Sequence, residues 1–283
     1  MSIIQALIYG LIQGLTEFLP ISSTAHIRIV PALLGWSDPG AAFTAVIQFG
    51  TLVAVLWYFA GDIWRIVRAV VDGLLKKNPL GTFDAKMGWM IAAGTVPVVV
   101  FGVLFKHQIE TTLRSLYVIA GSMIGLGLLL LLAEVITQSR ARSGSQGKPL
   151  EAVSWREALS VGFWQAVALI PGSSRSGVTI TGGLLSGLTR ETAARFSFLL
   201  SLPSVFAAGL FELVKERHAL FSTEIGVGPV LIATVVSGVV GYASIAFLLG
   251  YLKRHTTYIF IAYRLLAGAL LLLLLSSGAL QAL

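Results

Sequence analysis

Gln13-Gly14-Leu15-Thr16-Glu17-Phe18-Leu19-Pro20-Ile21-Ser22-Ser23-Thr24-Ala25-His26 interrupts an apolar helical pattern with a proline, a run of hydroxyls and two ionisable side chains. Proline stops the helix that leads into it, and the small polar residues cap the next helix. The pattern over residues 1–19 and the apolar stretch running on to Leu34 are each short for a membrane crossing, which takes roughly 20 apolar residues. A re-entrant helical hairpin is the economical reading, because irregular backbone at membrane depth survives only where protein or a water-filled cavity satisfies it.

A second stretch has the same plan. An apolar helical pattern over 155–170 contains Gln165-Ala166-Val167-Ala168-Leu169-Ile170 and ends at Pro171-Gly172; Ser173-Ser174-Arg175-Ser176-Gly177 then opens an apolar run to Leu188. The distance from glutamine to proline differs by one residue between the two breaks. After each break come three apolar segments long enough to span, at about 41–60, 88–105 and 114–134 in the first case and 192–213, 227–250 and 258–278 in the second. An odd number of spans per half turns the second half over relative to the first, the inverted-repeat plan of secondary transporters. The expected fold is therefore an all-α integral membrane protein, one membrane domain over 1–283, with six transmembrane helices and two re-entrant hairpins. Its first half covers 1–136, a polar, exposed and mobile linker 137–151, and its second half 152–283. The stretch 61–86 places Arg65, Arg68, Lys76 and Lys77 around apolar residues and reads as an interfacial amphipathic helix ending in a turn.

Composition agrees. The chain is 56% hydrophobic and 12% charged, with a mean hydropathy of +0.86; soluble domains carry about 25% charged residues. The net charge of +7 lies in the joints between apolar segments and forms no basic stripe, so nucleic acid is not an expected partner. The absence of cysteine excludes disulfides, thiolate chemistry and cysteine-bound metals. No basic leader or small-residue cleavage site precedes the first apolar pattern, which is read as mature structure.

Charge also sets sides. Loop 61–87, linker 135–157, loop 251–257 and Arg190 together hold twelve Lys/Arg; the opposite side holds Arg28, Lys106, Arg114, Lys215 and Arg217. Arg175, Arg195 and Arg264 remain within the membrane region. The richer side is expected to be cytoplasmic. The first hairpin then enters from outside, the second from the cytoplasm, and their tips approach one another inside the membrane.

Ionisable groups within a bilayer are costly and are functional candidates. Glu17 lies one helical turn after Gln13, on the same face, with Ser22, Ser23, Thr24 and His26 close behind. The second tip supplies Arg175 with Ser173, Ser174, Ser176 and the backbone up to Gly177, hydroxyls and N–H groups opening a helix, which suits a phosphate; arginine adds a planar bidentate partner. Carboxylate, imidazole, hydroxyl and guanidinium together are parts for phosphoryl transfer. The competing reading makes Glu17, His26, Ser22 and Thr24 a structural cluster serving the broken helices, with Arg175 neutralising Glu17. Glu134 reads as a solvated helix-end charge, Asp62 and Glu191 as interfacial charges, and Arg195 and Arg264 as snorkelling or internally paired.

With both motifs in this order and on this architecture, the chain resembles, over essentially its whole length, the undecaprenyl-diphosphate phosphatase family of the bacitracin-resistance type. The resemblance implies hydrolysis of undecaprenyl diphosphate to undecaprenyl phosphate and inorganic phosphate, which recycles the lipid carrier of bacterial cell-wall synthesis. It implies a multi-pass protein of the bacterial cytoplasmic (inner) membrane whose site opens to the periplasmic or outer side, surrounded by membrane lipids. It also implies dependence on a divalent cation, Mg²⁺ or Ca²⁺, and a homodimer. Carried over by position, Glu17 is the essential carboxylate, with Gln13 beside metal or water. His26 is the acid/base candidate and Ser23 a proposed nucleophile. Arg175 clamps the diphosphate, with Ser174 and Ser176 as supporting donors. Attack by Ser23, by His26 or by an activated water all stay open. The family usually has glycine where this chain has Ala25, which implies a slightly altered turn. A transporter or lipid-carrier flippase is the main alternative, and a non-catalytic scaffold a third.

Overall fold

The computed structural model describes residues 1–215 and 226–281. The chain starts with a hairpin, α1 (Ile3–Phe18) and α2 (Ser23–Leu34), and continues through α3 (Gly40–Tyr58), α4 (Ala60–Leu75), α5 (Phe83–Leu104), the short α6 (Lys106–Glu110) and α7 (Leu116–Arg142). A second hairpin, α8 (Trp155–Val167) and α9 (Arg175–Leu185), leads into α10 (Arg190–Lys215), α11 (Val227–Leu252) and α12 (Tyr258–Ser276). Of these, α5, α7, α10, α11 and α12 are long and apolar enough to cross a membrane, and α3 joins them as a sixth when taken with α4, from which it is bent by 79°. All six match the segments expected from sequence. The hairpin helices, at 1.5 Å per residue, reach no more than about 24 Å and fall short of a roughly 30 Å hydrocarbon core.

The outer surface fits lipid and not water. Trp57, Val103, Leu266 and Val239 are 75%, 73%, 72% and 69% exposed, while Gln13, Glu134, Ser176, Ser197, Ser237 and Arg264 are fully buried. An apolar outer surface over an interior that also holds hydroxyl and ionisable side chains is the pattern of a membrane protein, not of a soluble helical one. Helix α4 has the expected amphipathic form: none of its residues is buried, and Trp64, Val67, Val71 and Leu75 are exposed on it.

Small residues let the hairpins sit deep in the bundle. A Cβ at Gly10 would lie 2.6 Å from the Ala233 carbonyl oxygen of α11, and one at Gly14 would lie 2.7 Å from Val240. In the second hairpin a Cβ at Gly162 would lie 2.5 Å from the Gly94 carbonyl oxygen of α5. Van der Waals packing is the main attraction between helices in lipid, so such close approaches carry the assembly. Helix α3 packs on α10 and α7 on α12, so spans of the two halves interlock around the hairpins.

Polar contacts separate into two ends. At one, Asp38 accepts from Arg28 at 2.6 Å and from Arg114 at 2.9 Å, and Lys106 lies 4.0 Å from the ring centre of Phe211. At the other, Lys148 pairs with Glu157 at 2.8 Å, Lys253 with Glu191 at 3.5 Å and Arg195 with Asp62 at 2.9 Å. Apart from Arg195, which the charge count left within the membrane region and which pairs with Asp62 at the second end, these are the two groups into which the charge count divided the chain; Arg217 lies outside the described residues. Hairpin α1–α2 starts at the first end, where Tyr9 packs against Trp36. Hairpin α8–α9 starts at the second, where Glu157 also accepts from the Ser154 N–H at 2.9 Å.

Two expectations are corrected. Segment 137–151 is not free linker throughout. Helix α7 continues to Arg142, with Arg140 donating to the carbonyls of Leu184 and Leu185, and Lys148 bridges the backbone of Leu188. Basic residues at a helix C-terminus are favourable there, which extends the helix past its apolar run. Glu134 is not solvated: it is fully buried, paired with Arg190, and accepts from the Thr257 N–H at 3.2 Å and hydroxyl at 2.8 Å.

Candidate active site

The two breaks share one backbone device. Ser22 caps α2 with φ 77° and ψ 101°, its hydroxyl accepting from the Ala25 N–H at 3.3 Å. Ser174 caps α9 with φ 67° and ψ 109°, its hydroxyl accepting from the Gly177 N–H at 3.2 Å. Left-handed backbone at a residue other than glycine is strained, and its surroundings must hold it. Ala25, where the family has glycine, sits in the first turn of α2 and is fully buried.

The tips meet side chain to side chain. Glu17, at the end of α1, accepts from Arg175 Nη2 at 2.7 Å on Oε1, and from Gln13 Nε2 at 2.9 Å and Ser23 Oγ at 2.8 Å on Oε2. Ser176 donates to the Leu19 carbonyl at 3.1 Å and shares a 3.2 Å contact with Ser174. A buried ion pair of this kind gains little net stability over an apolar pair, whereas removing one partner costs about 3–5 kcal/mol. Its retention therefore points to what the charges do.

Arg264 completes the junction. This guanidinium on α12 is fully buried and is surrounded by carbonyls: Pro20 of the first tip at 3.4 Å, Gly172 of the second at 3.3 Å, and Ser122 and Met123 of α7 at 3.2 Å each. Burying a cation costs several kcal/mol, and charge-assisted hydrogen bonds of about 1.5–3 kcal/mol each offset it. A Cβ at Gly177 would lie 2.6 Å from Arg264 Nη1. Gly177 thus supplies clearance for Arg264 and spends its N–H on the Ser174 cap.

A cavity of about 280 Å³ runs from the tips toward the end bearing Arg114. Of the expected residues, Glu17, Ser22, Ser23, Thr24, Ser173, Ser174 and Arg175 line it. Gln13, Ser176 and Gly177 stand behind that wall, and so does His26. The imidazole donates from Nδ1 to the Ser22 carbonyl at 2.6 Å, which leaves Nε2 to accept from the Tyr263 hydroxyl at 2.5 Å, and the two rings stack. Sequence reasoning missed Gln48, Arg114 and Gln165 on the cavity wall, and Tyr263 and Arg264 behind it. Arg264 reads in the sequence as a membrane-embedded charge that snorkels or pairs internally, with no role at the site. Its lack of a nearby carboxylate in sequence was the available signal.

The donor set bears on a metal. Among the described residues no three His, Cys, Asp or Glu side chains gather, so an all-protein cage is absent there. Gln13 Oε1, beside Glu17, is buried without a hydrogen-bond partner. One carboxylate and one free amide oxygen next to a phosphate-sized cavity fit a hard divalent cation that takes its remaining ligands from substrate phosphates and water.

Residues 6–270 match the family described as "Bacitracin resistance protein BacA". A protein of Chlorobium limicola named undecaprenyl-diphosphatase is 62% identical over all of both chains. Its namesakes from Chlorobium phaeovibrioides and Chlorobaculum tepidum are 64% and 62% identical, over 99% and 98% of this chain and 99% of their own lengths. A match that spans nearly the whole chain, at this identity, leaves one conclusion: this protein belongs to the bacitracin resistance protein BacA family.

Proposed function

We propose that the protein hydrolyses undecaprenyl diphosphate to undecaprenyl phosphate and inorganic phosphate at the junction of the two hairpins. The observation that carries the reading is the Glu17–Arg175 contact, which brings a base and a phosphate clamp from opposite halves to one cavity. The isoprenoid tail stays in lipid between helices while the charged head enters the cavity.

Arg175, whose Nε and Nη1 have no protein partner, binds the phosphate oxygens. Ser173 and Ser174 line the same wall. Ser23 Oγ already donates to Glu17 Oε2, the arrangement of a hydroxyl nucleophile and its base. In the forward step Ser23 Oγ bonds the terminal phosphorus and gives its proton to Glu17. The bond from that phosphorus to the bridging oxygen breaks, and the lipid monophosphate leaves. Water then bonds the phosphorus, the Ser23 Oγ–P bond breaks as Ser23 Oγ takes back the proton held by Glu17, and inorganic phosphate departs with the water's protons. With both ring nitrogens engaged, His26 acts by holding the Ser22 turn that presents Ser23. Glu17 and Gln13 Oε1 would hold Mg²⁺ or Ca²⁺, which when bound neutralises phosphate charge and polarises the phosphoryl group.

The finer placement belongs to the same reading: a bacterial cytoplasmic membrane, a homodimer, and two halves inverted relative to each other. The cavity extends toward Arg114, on the end with fewer basic residues, which supports a site opening to the periplasmic or outer side. Purified, folded protein in detergent with undecaprenyl diphosphate and Mg²⁺ should release phosphate. No release across a survey of metal and pH would sink the phosphatase. The alternative, a lipid-carrier flippase, draws on hairpins entering from opposite ends, and requires movement of the lipid across sealed vesicles.

A further inference from the structure

Gln165 holds in the second hairpin the place that Gln13 holds in the first, nine residues before the left-handed capping serine in both cases. The residue one helical turn further on differs. After Gln13 it is Glu17, to which Gln13 donates from Nε2; after Gln165 it is Leu169, whose side chain offers nothing to bond. Gln165 is 1% exposed, and both its Nε2 and its Oε1 are buried without a hydrogen-bond partner in the protein. A buried amide left so is destabilising, and such groups are rare in folded proteins.

The amide borders the cavity of Glu17 and Arg175, and it is not alone in lacking partners. Ser173 Oγ, with its residue 1% exposed, and Arg175 Nε and Nη1 are likewise buried and unpaired, and all three residues line the same space. Arginine only donates. An amide can both donate and accept, so Gln165 suits a ligand that carries anionic oxygens and an O–H together.

We propose that Gln165 contacts the substrate's diphosphate head. Its Nε2 donates to a non-bridging phosphate oxygen, and its Oε1 accepts from an O–H of a protonated phosphate or of water. The assignment rests on the lipid-diphosphate reading and adds a residue to it.

The test uses the full chain in detergent, with Q165M as an apolar near-isostere. Two quantities are measured for each protein: steady-state hydrolysis of undecaprenyl diphosphate, and the shift in unfolding temperature produced by inorganic pyrophosphate with Mg²⁺. Q165M should unfold at or above the wild-type temperature, because an unpaired buried amide is gone. Its KM should rise roughly fivefold or more, and its pyrophosphate shift should fall by more than half. Q165E, which adds a negative charge at the same place, should weaken both further. If Q165M does not fold, Q165N, which withdraws the amide by one methylene, carries the same two measurements. A Q165M protein with wild-type KM and shift overturns the contact. So does one that unfolds earlier and loses activity in proportion, the signature of a structural hydrogen bond. Should wild type release no phosphate yet show a pyrophosphate shift that Q165M loses, the contact stands and the phosphatase reading falls.

Discussion

At Ser22 and at Ser174 the chain makes the same left-handed turn, and in both a serine hydroxyl caps the ensuing helix. The next residue is Ser23 in one hairpin and Arg175 in the other. One tip carries the carboxylate and the hydroxyl proposed as nucleophile, the other a cation and unpaired donors. A common backbone has thus been given complementary side chains, and neither tip is complete without the other. This teaches why the charges lie where they do: Glu17 and Arg175 compensate each other in the interior, and both line the cavity proposed to take the diphosphate head.

The comparison breaks most sharply at its charges. Glu17→Gln should lower turnover by a factor on the order of 10² to 10⁴, the range for loss of a general base, and Arg175→Ala by a similar amount. The exchanged pair E17R/R175E should recover much of the thermal stability that either single change loses, and none of the turnover. An exchanged pair with substantial activity would show that the hairpins are interchangeable and would discard the division of labour. Ser23→Ala comes next. Turnover should fall on the order of a hundredfold or more, and the acid-stable phosphoserine expected in quenched wild-type reactions should vanish; full activity in this variant would pass the attack to water.

Smaller effects should come from the residues behind the wall. Arg264→Met frees four carbonyls and unties both tips; it should cost about 3 kcal/mol of stability, read by thermal unfolding. An unchanged melting temperature would mean that the hairpins hold each other without it. Tyr263→Phe should reduce kcat only severalfold, since it removes one hydrogen bond of about 1 kcal/mol and keeps the stacked ring. A loss as large as that of Glu17→Gln would make the Tyr263–His26 pair part of the proton transfer and not its support.

Much of the fold was legible because lipid imposes simple rules. Spans announce themselves by length and lack of charge, and the prolines at 20 and 171 with the serines after them mark two breaks that no intact crossing would contain. Basic residues gave the two ends, and the ion pairs around Asp38 and Glu157 divide along the same line. Of the candidate site, the cavity-lining Glu17, Ser23 and Arg175 were legible as ionisable or hydroxyl groups out of place in apolar sequence. Other features depend on which atom meets which across the chain. Arg264 is served by carbonyls, which every residue has, so no motif reveals its partners. Gln165 looked like an echo of Gln13 until its unpaired amide was seen on the cavity wall. His26 lies in the right motif, yet its ring turns to Tyr263, in the last helix of the bundle. Glu134, near the end of an apolar run, gave no sign of its burial, because Arg190 and Thr257 reach it from distant segments.

The stitch made by Arg264 also has a consequence for biogenesis. It sits on α12, which follows both hairpins in sequence, so both are synthesised well before the side chain that joins them. An arginine entering a bilayer alone is costly, by about 2.5–3.5 kcal/mol at the helix centre, and the leucine-rich run after Leu265 makes the insertion feasible. Once there, the guanidinium finds two carbonyls on α7, and completes its set with those of Pro20 and Gly172 only if both turns are already formed. A chain that stops short of this helix, or whose tips have misfolded, leaves either the turns unfastened or the cation unsolvated. The junction of the two hairpins is thus completed only when α12 packs beside α7 and brings its arginine to both tips.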